Sequence, residues 1–176
     1  MKIAVTGTSS GFGKYLLDNW EGVYGVSLRD PIEDIVPKIE PANVFINHAY
    51  SGDIKQSDVF YEVFKLWEYL PKTIINFGTS AIVENATFAP TYVTNKKHLI
   101  NLASSVASSS DYKKVRVINF NPSTLENNDI FPESFSRLKF EDLYKLVRFL
   151  VELPQSVEVS DLIIKNTQRY HKTQVI

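Results

Sequence analysis

Residues 2–13 read KIAVTGTSSGFG. The first five are a short apolar run of strand type. The rest hold glycines at 7, 11 and 13. Phe12, Leu16 and Trp20 then recur every four residues, the spacing of one helix face. Strand, glycine turn and helix in that order make a site where a phosphate can meet free N–H groups and a partial positive charge. Gly7 permits a tight exit from the strand. Gly11 lets backbone approach a pyrophosphate, and Gly13 lets the helix lie close to the sheet. The same glycines also suit an ordinary strand-to-helix turn, so the rest of the chain must decide.

Outward from that turn, short apolar runs lie at 23–28, 44–47, 73–77, 115–120 and 162–165. Helical patterns separate them at 58–70, 91–108 and 140–153, with a shorter piece at 31–39 broken at Pro37 and Pro41. Alternating elements with continuously apolar strands predict an α/β fold, a parallel sheet of about six strands covered on both faces. The tail from residue 166 is polar.

The chain has 176 residues, 44% hydrophobic and 12% aromatic, which predicts one domain over 1–176 with the tail from about 167 peripheral. A net charge of -1 gives no footprint for nucleic acid or an anionic membrane. With no cysteine, disulfides and thiolate chemistry are excluded. His48, His98 and His171 show no ligand spacing, so no metal site is expected. The apolar run before Gly7 is too short for a signal peptide, and no run has transmembrane length. The expectation is a soluble cytoplasmic protein.

Four further segments carry chemistry. YVTNK (92–96) puts Tyr92 and Lys96 one helical turn apart, on one face. NHAY (47–50) follows the third strand, NFGTSA (76–81) the fourth and FNPST (120–124) the fifth. With the T-G-x-x-x-G-x-G spacing of 6–13, these resemble, in order, the motifs of the short-chain dehydrogenase/reductase family, from residue 2 to about 166. The resemblance implies a single Rossmann-type, doubly wound parallel sheet that binds NAD(P), short for the family and missing one edge strand.

It further implies a cofactor site at Gly7, Thr8, Ser9, Ser10, Gly11, Phe12 and Gly13, with Arg29, Asn47, Ala49, Tyr92, Lys96, Pro122 and Thr124. Tyr92 would be the proton donor to a small carbonyl substrate or the acceptor from an alcohol. Lys96 would lower its pKa and hydrogen-bond the nicotinamide ribose, and Thr79 or Ser80 would hold the substrate oxygen. Spacing favours Thr79 and residue type Ser80, so both are carried. Tyr50 stands where the family prefers glycine and should narrow the site. Arg29, where an acidic residue would suit NAD, suggests NADP(H) over NAD(H), unless it is merely paired with Asp30.

Residues 53–75 hold no asparagine, whereas many members use one there to anchor a water in the proton relay. A second reading is therefore a degenerate member that binds dinucleotide as a sensor or structural subunit without turnover. A third, a flavodoxin-like phosphate binder, gives no reason for YVTNK or FNPST. The loop at 125–138 is expected to form the substrate wall. The wide apolar face of 59–70 predicts a homodimer or homotetramer.

Overall fold

Short apolar runs become the strands β1 (Ile3–Thr6), β2 (Val23–Val26), β3 (Val44–Asn47), β4 (Thr73–Phe77), β5 (Arg116–Pro122) and β6 (Asp161–Ile164). The computed structural model describes residues 1–82, 89–108, 114–126 and 137–165. It joins the strands in one parallel sheet, ordered β2-β1-β3-β4-β5-β6. The chain runs from β1 out to β2, then crosses back to β3 on the other side. The order therefore reverses between β1 and β3, and a crevice opens beyond their carboxyl ends.

Among the described residues, five α-helices cover the sheet: α1 (Gly11–Asn19), α2 (Ile32–Ile39), α3 (Lys55–Trp67), α4 (Pro90–Ser108) and α5 (Phe140–Glu152). Side chains alternate across each strand, so β1, β3, β4 and β5 contribute to two cores. Ile3, Val5, Ile46 and Ile118 meet Phe12 and Leu16 of α1 and Leu143 and Val147 of α5. Ala4, Phe45, Ile74 and Val117 meet Ile35 of α2, Phe60 and Trp67 of α3 and Leu99 of α4. Each fully buried large apolar side chain contributes about 1.5–3 kcal/mol. The sheet is thus doubly wound, with the six strands expected.

Several boundaries differ from the sequence reading, and three have a local cause. Pro37 does not break α2 but lies inside it. Ile35 and Ile39 are buried one turn apart, whereas Pro37 and Glu33, whose carbonyl loses its helical partner, lie on the exposed side where water can serve it. α3 begins at Lys55 instead of 58 because the Asp53 carboxylate accepts the Lys55 N–H at 3.0 Å. β5 continues to Pro122 because β6 extends alongside, pairing Asn121 with Ile163 and Pro122 with Ile164. Most of the loop expected to wall the substrate, 127–136, lies outside the described residues, as does the tail 166–176. No helix among the described residues is long and apolar enough to cross a membrane.

Candidate active site

The carboxyl ends of β1 and β3 are tied first. Thr6, the last residue of β1, accepts the His48 and Ala49 N–H groups on its Oγ1 at 2.9 and 3.0 Å. Gly7 then turns with φ of +78°, a conformation that favours glycine, and a Cβ there would press on the Ala49 Cβ at 2.9 Å. A Cβ on Gly13 would overlap the Gly7 carbonyl, so helix and turn meet backbone to backbone. Gly11 opens α1 at φ of +59°, and Ser10 makes no side-chain cap there. The first N–H groups of α1 therefore stay open toward the crevice. Ser9 and Ser10 are exposed, and the Thr8 side chain lies over Gly25.

Phe12 sits differently from its neighbours. Its ring is 1% exposed and packs on Phe77 and Phe140 at 5.6 and 5.8 Å, so it is a core side chain and only its backbone faces the turn.

The first turn of α4 brings the chemistry to the same edge. The Thr79 hydroxyl lies close enough to the Tyr92 phenol to act against the upward push of burial on its pKa. Of the two candidate hydroxyls, Thr79 is thus the one that acts on Tyr92. Ser80, 3% exposed, starts the 3₁₀ turn Ser80–Ile82. Tyr50 meets Tyr92 edge to face, ring centroids 4.9 Å apart, and its hydroxyl accepts from Asn95 Nδ2 at 3.1 Å. Tyr50 thus sets its ring against Tyr92.

Lys96 lies beneath these rings, 5.7 Å from the Tyr92 centroid and 5.8 Å from that of Tyr50, within cation–π range. It is 3% exposed. Its Nζ donates to Gln56 Oε1 at 2.8 Å and to the Phe77 carbonyl at 2.7 Å. Burial alone brings its pKa down to about 7.

Two expectations are corrected here. The phenol of Tyr92 is not lowered but raised above its ordinary value, because burial outweighs the effect of the Thr79 hydroxyl. Lys96 also does not stand open to a ribose: two acceptors hold its amine and two rings cover it.

Beneath the site lies a polar row that motif reading missed. Asn47, Asn76 and Asn119 stand opposite one another on β3, β4 and β5. Asn47 Nδ2 donates to Asn76 Oδ1 and to the Gln56 carbonyl, both at 3.0 Å. Asn119 Nδ2 donates to Ser104 Oγ on α4 at 3.2 Å. Asn47 is therefore wholly buried support and does not line the crevice. The signal was present: the three strands carry Ile-Asn at 46–47, 75–76 and 118–119.

His48 rests against Gly7 and Gly13, with its Nδ1 enclosed and unpaired. Its pKa is pushed down to about 4, first by burial and then by the charge of Lys96. Pro122 ends β5 buried, and Thr124 follows half-buried. Arg29 is exposed, and among the described residues it makes no ion pair: Asp30 is taken by Lys38 at 2.7 Å, not by Arg29. No group of three or more His, Asp or Glu side chains suited to a metal lies together among the described residues.

No protein-family model matches the chain, and no curated protein is detectably related to it in sequence. Solved structures are similar in fold. The alcohol dehydrogenase of the archaeon Thermococcus sibiricus, complexed with 5-hydroxy-NADP, superposes with a TM-score of 0.75 at 15% identity, covering 97% of this chain and 98% of that one. A short-chain dehydrogenase/reductase from Vibrio parahaemolyticus gives 0.73 at 16%, covering 92% and 98%. The 3-ketoacyl-(acyl-carrier-protein) reductase of Brucella melitensis, complexed with NADH, gives 0.72 at 14%, covering 92% and 96%. The chain therefore has the fold of short-chain dehydrogenase/reductase structures.

Proposed function

We propose that this chain is an oxidoreductase of the short-chain dehydrogenase/reductase type, moving hydride between NADP(H) and a carbonyl or alcohol substrate, with Tyr92 as the acid/base group. One observation carries the reading. Tyr92, beside the Thr79 hydroxyl and with its ring 5.7 Å from the amine of the buried Lys96, stands at the same sheet edge as the glycine turn.

The turn suits a dinucleotide. Gly7 and Gly13 bring backbone close, and the uncapped start of α1 leaves N–H groups for a pyrophosphate. Bound nicotinamide supplies or accepts the hydride. The protein's own part is positioning and proton handling. A phenol held above its ordinary pKa is protonated at neutral pH, so Tyr92 is set to donate to a carbonyl oxygen, in the direction of reduction. Thr79 orients that phenol and is placed to share the substrate oxygen. Arg29, exposed and free of Asp30, is the cation available to a 2'-phosphate.

The test is nicotinamide absorbance with a panel of aldehydes and ketones. Tyr92→Phe should lower turnover by about 10²-fold or more, the scale for losing a positioned acid, while cofactor affinity holds. Full activity in that variant would refute the assignment. Arg29→Ala should weaken NADPH far more than NADH; equal weakening would remove Arg29 from the cofactor site.

The enclosure of Lys96 favours a second reading, a dinucleotide-binding sensor without turnover. Tight NADPH binding with no reduction of any substrate would select it. Self-association belongs to the proposal too. Tyr61, Leu66, Tyr69 and Leu70, on α3 and just past its end, stay exposed while the rest of its apolar face is buried. Light scattering should then report a dimer or tetramer at micromolar concentration, and a monomer would overturn this part.

A further inference from the structure

We propose that Gln56 is the positioning residue for Lys96: its amide oxygen, fixed by two backbone carbonyls, holds the amine under Tyr92 through a neutral acceptor. The inference rests on the reading of Lys96 as the partner of Tyr92 and adds a residue that no motif supplies.

The geometry fixes which way the amide faces. Gln56 Nε2 donates to the Asn47 carbonyl at 2.7 Å and more weakly to the Phe77 carbonyl at 3.4 Å. Carbonyls only accept, so the nitrogen must face them and the oxygen must face Lys96, at 2.8 Å. The backbone of Gln56 is held as well, its carbonyl accepting from Asn47 Nδ2, which also grips Asn76. At 3% exposed, Gln56 has no solvent to turn toward. One side chain thus joins β3, β4, α3 and α4 at the amine.

Neutrality of the acceptor leaves burial to set the behaviour of Lys96. The groups that face it are His48 beyond β3, Tyr50 on the following loop, Tyr92 on its own helix, and Gln56 and the Phe77 carbonyl below. No carboxylate pairs with it among the described residues, and burial brings it to about 7. A carboxylate in place of Gln56 would hold the proton on the amine at all working pH values. An apolar side chain of the same length would remove an acceptor from the ammonium and favour its loss. An amide does neither: it directs the amine and leaves the charge free to change.

The experiment titrates the Lys96 side-chain carbon resonances in ¹³C-lysine-labelled protein, assigned by their loss in Lys96→Met. The parent should titrate near neutrality. Gln56→Glu should raise the midpoint by about 2 pH units or more, and Gln56→Met should lower it. These opposite signs keep the idea testable even if one variant fails to fold. A midpoint within half a pH unit of the parent in each folded variant would overturn the contact. In turnover, the pH profile of kcat in Gln56→Glu should move with the Lys96 midpoint, while KM for NADPH changes less than about twofold. A kcat profile that stays put while the resonance moves would overturn the positioning role. If the resonances behave as expected but no variant or parent binds NADPH, Gln56 still positions Lys96 and the oxidoreductase reading is what fails.

Discussion

Two buried cations occupy opposite ends of the sheet, and they are held differently. Arg116, 7% exposed, begins β5. Its Nη1 donates to the Leu153 and Pro154 carbonyls at 3.0 and 3.1 Å. Its Nη2 donates to Thr73 Oγ1 and the Leu150 carbonyl, both at 3.1 Å. Three of these acceptors lie where α5 ends, among carbonyls that lack helical partners and carry partial negative charge. Lys96 has two acceptors, and two aromatic rings over it. Neither cation has a carboxylate among the contacts described above. A guanidinium stays charged and saturates fixed carbonyls, which is a structural task. An amine brought to about 7 can change charge at working pH, which is a chemical one.

The largest effect expected from this contrast is at Arg116. Arg116→Met keeps length and removes every donor. The Leu150 and Leu153 carbonyls at the end of α5 are left short of a donor, at a cost of about 1–3 kcal/mol each. Urea unfolding should show that loss, while turnover per folded molecule is retained. A loss under about 1 kcal/mol would mean that the guanidinium is no more than a surface cap.

The same contrast explains what was legible in the sequence. Tyr92 and Lys96 are one turn apart on one helix, and the three glycines lie within one turn, so spacing alone displays them. Gln56 is forty residues before Lys96. A glutamine near a helix start reads as a solvated residue, and only the packing of α3 on α4 reveals it as buried. Arg116 is hidden for the same reason, because its partners lie at 150–154. The strands were readable because each apolar run is short and continuous. Pro37 was misread because the cost of its missing N–H depends on whether the affected carbonyl is buried, and here water reaches it.

A middle-sized effect falls on His48, which Lys96 helps keep neutral. Its folded pKa is about 4 against an ordinary 6.5. Between those values the unfolded chain binds the proton and the native one does not, so stability falls as pH drops from 6.5 to 4. At about 1.4 kcal/mol per pH unit, the loss is roughly 3 kcal/mol. His48→Asn should flatten that part of the stability curve, although its room-temperature stability at pH 7 will be lower for lost ring contacts with Phe12 and Phe77. An equally steep curve in the variant would place the acid sensitivity elsewhere.

The smallest net effect belongs to Lys96, because two terms oppose. Its folded pKa is about 7 against an ordinary 10.5. Below pH 7 both states carry the proton, and the native state bears the full cost of an enclosed ammonium, roughly 5 kcal/mol by the same conversion. As pH rises from 7 to 10.5 the native state sheds its proton first, so the cost fades and the parent gains stability. Lys96→Met removes that cost but strands Gln56 Oε1 and leaves the Phe77 carbonyl only the weak donation from Gln56 Nε2 at 3.4 Å, losses of about 1–3 kcal/mol each. At about 2 kcal/mol for each acceptor, the variant should be more stable than the parent by about 1 kcal/mol at pH 6, and the difference should shrink and reverse by pH 10. That crossing, read from urea midpoints across pH, is what a chemically poised lysine gives up in stability. A variant less stable at pH 6 would make Lys96 a second Arg116, a structural cation held for the fold.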